Sequence, residues 1–153
     1  MSIEDRLREL GEELPPVARP LASYVPAVRT GNLVYCSGQL PTRGGELVAH
    51  GKVGVDVPVD DAVAAARVAC LNALAAVASV SGGLDAIRQV IRVNGFVSSA
   101  PGFTSQPEVL NGASDFLLEL FGDRGQHTRV AVGVAELPRN APVEIDLIVE
   151  IES

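Results

Sequence analysis

Asp60-Asp61-Ala62-Val63-Ala64-Ala65-Ala66-Arg67-Val68-Ala69-Cys70-Leu71-Asn72-Ala73-Leu74-Ala75-Ala76-Val77-Ala78-Ser79-Val80-Ser81-Gly82-Gly83 decides the fold of this chain. Val63, Ala66, Cys70, Leu74 and Val77 recur at spacings of three and four, which lays one apolar stripe along a helix. Asp60 and Asp61 read as its cap and suit the positive end of the helix dipole. Ser81-Gly82-Gly83 stops it. The many alanines leave no bulky ridge, so this helix can lie close against a sheet.

Downstream, Gln89 to Ser98 reads as a strand carrying Val90, Ile91, Val93, Phe96 and Val97. Ser105-Gln106-Pro107-Glu108 reads as a capping box, in which a hydroxyl and a carboxylate satisfy each other's helix-end donors. The helix it opens runs to Phe121, with Val109, Leu110, Ala113, Phe116, Leu117 and Leu120 inward, and Gly122 ends it. Val130 to Leu137 and Val143 to Glu152 read as the last two strands, an antiparallel hairpin joined at Pro138–Pro142. Upstream, Asn32 to Ser37 is a strand and Glu46 to Val53 a second, polar-edged one. Residues 3–13 form an amphipathic helix that stops before Pro15-Pro16, and residues 14–30 an extended lead-in.

The order β-β-α-β-α-β-β after an N-terminal helix indicates an α+β two-layer sandwich. The expected sheet is mixed and five- to six-stranded, with two long helices on one face. At 153 residues the chain suits a single domain, 1–153, of which 1–20 is an N-terminal helical extension and lead-in. Alternation in Val130–Ala135 puts valines on one face and Ala or Gly on the other. Helices are expected over the valines, which leaves the Ala/Gly face in want of a partner and points to oligomerisation.

A net charge of −7 disfavours binding to a phosphate backbone. With 4% aromatics and no Trp, stacking platforms for single-stranded RNA are scarce as well. No apolar run approaches the ~18 residues of a membrane span, and no secretory signal opens the chain; residence in the cytoplasm is the expectation. Cys36 and Cys70 show no metal or CxxC spacing and read as small buried hydrophobes.

Two residues carry chemistry. Arg129 stands at the mouth of a buried strand, and Glu144 on the strand read as pairing with it. A guanidinium can hold a carboxylate in two parallel hydrogen bonds, and a nearby carboxylate can handle a water molecule. The ordinary alternatives are a surface ion-pairing arginine and a solvent-facing strand glutamate. His127 reads as a solvated loop residue, and His50 as part of a polar turn. Ser37-Gly38-Gln39 lacks the elbow of a nucleophilic serine, and Gly44-Gly45 and Gly82-Gly83 are turns rather than phosphate loops.

Four motifs resemble the Rid family of YjgF-type reactive intermediate deaminases. Ser23-Tyr24-Val25-Pro26-Ala27-Val28 looks like the family's opening segment. Gly31-Asn32-Leu33-Val34-Tyr35-Cys36-Ser37-Gly38-Gln39-Leu40-Pro41 resembles its G-N-x-(I/V)-x-x-S-G-Q-x-P strand. Asn111 lies at the start of the second helix, where the family has an asparagine. Thr128-Arg129 through Leu137-Pro138, with Val143-Glu144-Ile145, resembles its C-terminal signature.

The resemblance implies a chorismate-mutase-like subunit in a homotrimer whose sheets form a central barrel, with clefts between subunits. It implies cofactor-free, metal-free hydrolysis of small enamine or imine acids, such as 2-aminoacrylate or 2-iminobutanoate, to 2-oxo acids and ammonia. Arg129 would clamp the substrate carboxylate and Glu144 would handle the water or shuttle protons. Tyr24, the backbone of Gly31 and Ala131, and the side chain of Asn111 would complete the cleft. The partners implied are a small carboxylate-bearing metabolite and two further copies of the chain, with no nucleic acid and no membrane. An alternative is a binding protein that holds a 2-oxo acid in the same cleft without turnover. The ribonuclease activity often attached to the family is disfavoured by the charge and the few aromatics. Where many relatives have Cys two residues after the arginine this chain has Ala131, so a thiol is unavailable there. That substitution, the N-terminal helix and the long Val97–Val109 segment mark a divergent subgroup.

Overall fold

The computed structural model describes residues 1–20 and 22–153. Helix α1 spans Ile3–Glu9, shorter than the sequence suggests. Its cap is a true capping box: Ser2 Oγ accepts from the Asp5 N–H and the Asp5 carboxylate accepts from the Ser2 N–H. The segment after it is held by Glu12, whose carboxylate pairs with Arg43 at 3.2 Å and with Arg67 at 3.5 Å.

Helices α2 (Val59–Ser81) and α3 (Gln106–Phe121) form one layer. The N-cap of α2 is Pro58, so Asp60 and Asp61 sit in the first turn and act on the dipole instead of capping. From Val68 to Val77 every residue of α2 is buried, more than one stripe, because the sheet, α3 and the N-terminal segment surround it. By length and composition this helix would suffice to cross a membrane, contrary to the reading of the bare sequence. In the fold it is the central core helix, with 67% of its most apolar stretch buried inside the protein. The two helices approach backbone to backbone at Gly112, where a Cβ would stand 2.1 Å from the Val63 carbonyl oxygen. Ser105 precedes α3 but makes no side-chain cap; its φ of −95° and ψ of 32° depart from the extended geometry that aims a cap oxygen at the first turn.

The second layer is a mixed five-stranded sheet of β1 (Ala27–Thr30), β2 (Leu33–Cys36), β5 (Ile87–Ser98), β6 (Thr128–Val134) and β7 (Val143–Ile151), in the order β1-β2-β7-β5-β6. Strands β3 (Thr42–Arg43) and β4 (Glu46–Leu47) make a separate two-stranded ribbon, so the expected strand to Val53 is only its beginning. Strand β1 lies within the stretch read as a lead-in.

The last two strands are not a hairpin. Strand β5 stands between them, antiparallel to β7 and parallel to β6. Its end binds both connections, with Ser98 N–H donating to Pro142 O at 2.9 Å and Ser99 N–H to Val134 O at 3.1 Å. The turn that carries the chain past β5 uses two left-handed residues, Arg139 and Asn140. The twelve residues of β5 pair along the whole of β6 on one edge and along β7 on the other.

The face assignment of β6 is also reversed. Ala131 packs on the core under α3, and a Cβ on Gly133 would meet the Gln106 side chain at 2.7 Å. The small residues admit the helix. Val132, 44% exposed, lies on the face away from the helices.

Candidate active site

Cross-strand neighbours share a face, and the unbroken register from Arg92 to Ser98 therefore fixes where the two key side chains point. Val93 is paired with both Arg129 and Leu147, under the helices. Phe96 is paired with both Glu144 and Val132, on the opposite face. Arg129 and Glu144 thus stand on opposite faces of the sheet, with β5 between them, and one subunit alone does not bring them together.

The first half-site is built around Arg129 on edge strand β6. Its Nη1 donates to Asn111 Oδ1 at 2.9 Å and to Ser114 Oγ at 3.1 Å, both on α3. Helix α3 comes this close because Gly95 and Ala131 are adjacent on β5 and β6. A Cβ on Gly95 would overlap Leu110, one residue before Asn111. Ser114 is buried, and His127 Nε2 lies 2.9 Å from its hydroxyl. His127 Nδ1 is 2.6 Å from the Gly125 carbonyl. Both ring nitrogens are engaged, so His127 is not a solvated loop residue. Ser114 escaped the sequence reading, although its spacing of three from Asn111 places both on one helical face.

The second half-site lies in a cavity of about 540 Å³ lined by Tyr24, Gly38, Gln39, Asn72, Arg139 and Glu144, with prolines of the N-terminal segment. Gln39 and Ile145 exchange backbone hydrogen bonds at 2.8 and 3.0 Å, which presses Gly38 onto Glu144. A Cβ at position 38 would stand 2.5 Å from Glu144 Oε2, so any larger residue there must push the Glu144 side chain aside. Burial raises the Glu144 carboxyl above its ordinary value, and the neighbouring charge of Asp146 raises it further. Asp146 is itself raised by burial, against the hydrogen bond from Asn94 at 2.6 Å and the charge of Arg92.

The sequence candidates therefore divide. Arg129, Asn111 and Ala131 belong to the first half-site, Tyr24 and Glu144 to the second. Gly31 falls in neither: it forms the tight β1–β2 turn with a φ of 57°, and a Cβ there would meet nothing within 4 Å. The glycine that lies against the carboxylate is Gly38, at the other end of β2.

Chemically, the first half-site offers a half-buried guanidinium steadied by neutral groups. Among the described residues no carboxylate pairs with Arg129. The second offers a carboxylate disposed to take and return a proton. Among the described residues no three His, Cys, Asp or Glu side chains converge to hold a metal ion. Cys36 and Cys70 are buried in the core, and burial pushes the Cys36 thiol up to about 12.

Comparison with known proteins agrees with this architecture. The family model described as "YjgF/chorismate mutase-like, putative endoribonuclease" matches residues 4–151. Protein TCP17 of Trypanosoma cruzi is 41% identical over 148 residues, 96% of this chain and 92% of that protein. A 2-iminobutanoate/2-iminopropanoate deaminase of Dermatophagoides farinae is 35% identical, covering 90% of this chain and 93% of its own. The crystal structure of a protein of unknown function from Agrobacterium tumefaciens superposes with a TM-score of 0.91 at 50% identity, over 98% of this chain and 92% of that one. By its sequence along nearly its whole length, and by its mixed sheet under two long helices, the chain belongs to the YjgF/Rid family.

Proposed function

We propose that this protein is a cofactor-free enamine/imine deaminase of the cytoplasm, which hydrolyses small 2-imino acids to 2-oxo acids and ammonia. The observation that carries this reading is the Arg129 guanidinium, held by Asn111 and Ser114 and paired with no carboxylate among the described residues. A cation so placed suits a carboxylate from outside. The named deaminase relative supports the choice of reaction.

The two half-sites join when a second copy brings its Glu144 to the Arg129 edge of the first. A homotrimer closed through the open sheet faces does this three times over. Val132, Tyr35 and Val28 are exposed on those faces and supply apolar area for such contacts.

In this site Arg129 fixes the carboxylate, and the imine carbon lies where Glu144 can reach it. Water adds to that carbon while Glu144 takes one of its protons. Glu144 passes that proton to the nitrogen to give the carbinolamine, then takes the hydroxyl proton as the carbonyl forms and hands it to the amine, which leaves as ammonia when the C–N bond breaks. An imine carbon is already electrophilic, so orientation and proton transfer suffice; general acid–base catalysis contributes roughly 10²–10⁴-fold. A carboxyl raised above its ordinary value suits both halves of that transfer. The ribonuclease reading is disfavoured by a net charge of −7.

The test generates 2-aminoacrylate enzymatically and follows release of pyruvate. The wild type accelerates it and Arg129→Ala does not; a wild type no faster than buffer overturns the deaminase. Binding of 2-oxobutanoate without turnover would then identify a binding protein in its place. A monomeric native mass removes the joined site.

A further inference from the structure

We propose that Ser114 and His127 are positioning residues that aim the Arg129 guanidinium at the substrate carboxylate. This rests on the reading of Arg129 as the carboxylate clamp. The geometry is a one-way relay. The Gly125 carbonyl can only accept, so His127 Nδ1 carries the hydrogen in the 2.6 Å contact between them. In the tautomer whose single ring hydrogen is on Nδ1, Nε2 is an acceptor, and the Ser114 hydroxyl donates to it across 2.9 Å. That fixes the serine rotor and turns an Oγ lone pair toward Arg129 Nη1, which donates at 3.1 Å. Asn111 takes the same nitrogen at 2.9 Å. Both protein contacts fall on one corner of the guanidinium.

The relay explains two features that the deaminase reading leaves over. A buried serine on the inner side of α3 is a polar atom in an apolar layer, and its partners are His127 and Arg129. A histidine beside a strand start has both nitrogens committed. Neither residue touches the reacting carbon; each acts through Arg129. The chain from Gly125 through His127 and Ser114 converts the fixed backbone of the turn before β6 into a fixed direction for the guanidinium.

The substrate carboxylate is the same in the ground state and the transition state. A misaimed clamp therefore weakens both equally and raises KM with little change in kcat. Ser114→Ala and His127→Ala are each expected to raise KM about five-fold, with kcat within about two-fold, the order expected for the net loss of one ordinary hydrogen bond. His127→Gln keeps an acceptor near the Nε2 position and is expected to restore most of the loss, which a merely packing role for the ring would not produce.

A second measurement needs no substrate. In the ¹⁵N-labelled native assembly, Arg129→Lys identifies the Arg129 Nε–Hε resonance by its disappearance. Its heteronuclear NOE is expected to match the rigid backbone in the wild type, to fall toward the value of free arginines in Ser114→Ala, and to recover in His127→Gln. Unchanged KM and an unchanged NOE in Ser114→Ala would overturn the relay. A rigid Arg129 that loosens in Ser114→Ala, in a protein that neither deaminates 2-aminoacrylate nor binds 2-oxobutanoate, would support the relay and overturn the clamp.

Discussion

A methyl group on Gly95 would push helix α3 off the sheet. Its Cβ would stand 2.3 Å from Leu110 Cδ1 and 2.4 Å from Leu110 Cγ. Ordinary carbon–carbon contact is about 3.5–4.0 Å, so the overlap exceeds an ångström on two atoms at once. Leu110 is wholly buried and Gly95 lies in strand β5, bonded on both edges, so neither side yields easily. Gly95→Ala is therefore placed in the upper part of the ~1–3 kcal/mol range of overpacked cores. For a domain of this size each kcal/mol shifts Tm by roughly 2–4 °C, which gives a fall of about 4–12 °C. Leu110→Ala alone is expected to cost ~2–5 kcal/mol through its cavity. In the double variant the methyl at 95 enters the space Leu110 leaves, so the two costs do not add; the coupling is on the order of 1–3 kcal/mol in favour of the pair. The assay is urea unfolding of all four proteins at one protein concentration, because assembly contributes to apparent stability. Additive costs within about 0.5 kcal/mol would refute the reasoning, since the clash would then not be between these residues. A lifted α3 also carries Asn111 and Ser114 away from Arg129, so Gly95→Ala should raise KM as well as lower Tm.

Asp146→Asn removes the charge that helps raise Glu144, so the acid limb of kcat/KM should move to lower pH while the plateau holds; a limb that stays in place argues that burial alone sets Glu144. Glu144→Gln abolishes turnover in the same assays. Its effect on stability has a sign: a carboxyl raised above its ordinary 4.5 stabilises the fold below that pH, and the contribution is lost as pH rises through the folded value. The Tm of Glu144→Gln relative to the wild type should therefore be higher at pH 7 than at pH 4, and the reverse order would refute it. Cys36 should resist alkylation by iodoacetamide at pH 8 in the folded protein, with its buried thiol raised to about 12, and react once urea unfolds the chain.

The helices were legible in the sequence because a 3.6-residue period and a glycine stop are local facts. The run from Val59 to Ser81 shows its apolar positions and its end in Gly82 without reference to anything else. Strand Ile87–Ser98 and the last strand were readable from their alternation. Strand β1 was not, because four residues with one buried side chain leave almost no pattern. The capping box at Ser2 is local to Ser2-Ile3-Glu4-Asp5, whereas the one expected at Ser105 does not form because the backbone there turns before the hydroxyl can reach a donor.

Strand neighbours lay beyond the sequence. Consecutive strands usually pair, yet β5 enters between β6 and β7 because its twelve residues can ladder on both edges. That insertion reverses the meaning of the pair first singled out. Sequence alone determined that this chain carries an arginine at a strand mouth and a glutamate in a V-E-I strand, the pair on which the proposed chemistry rests. The tertiary structure decided that the two face opposite ways, that Gly38 lies against Glu144, and that Ser114 and His127 stand behind Arg129. Those facts depend on which strand lies beside which and how low α3 sits over Gly95, relations between residues far apart in the chain that no local spacing encodes.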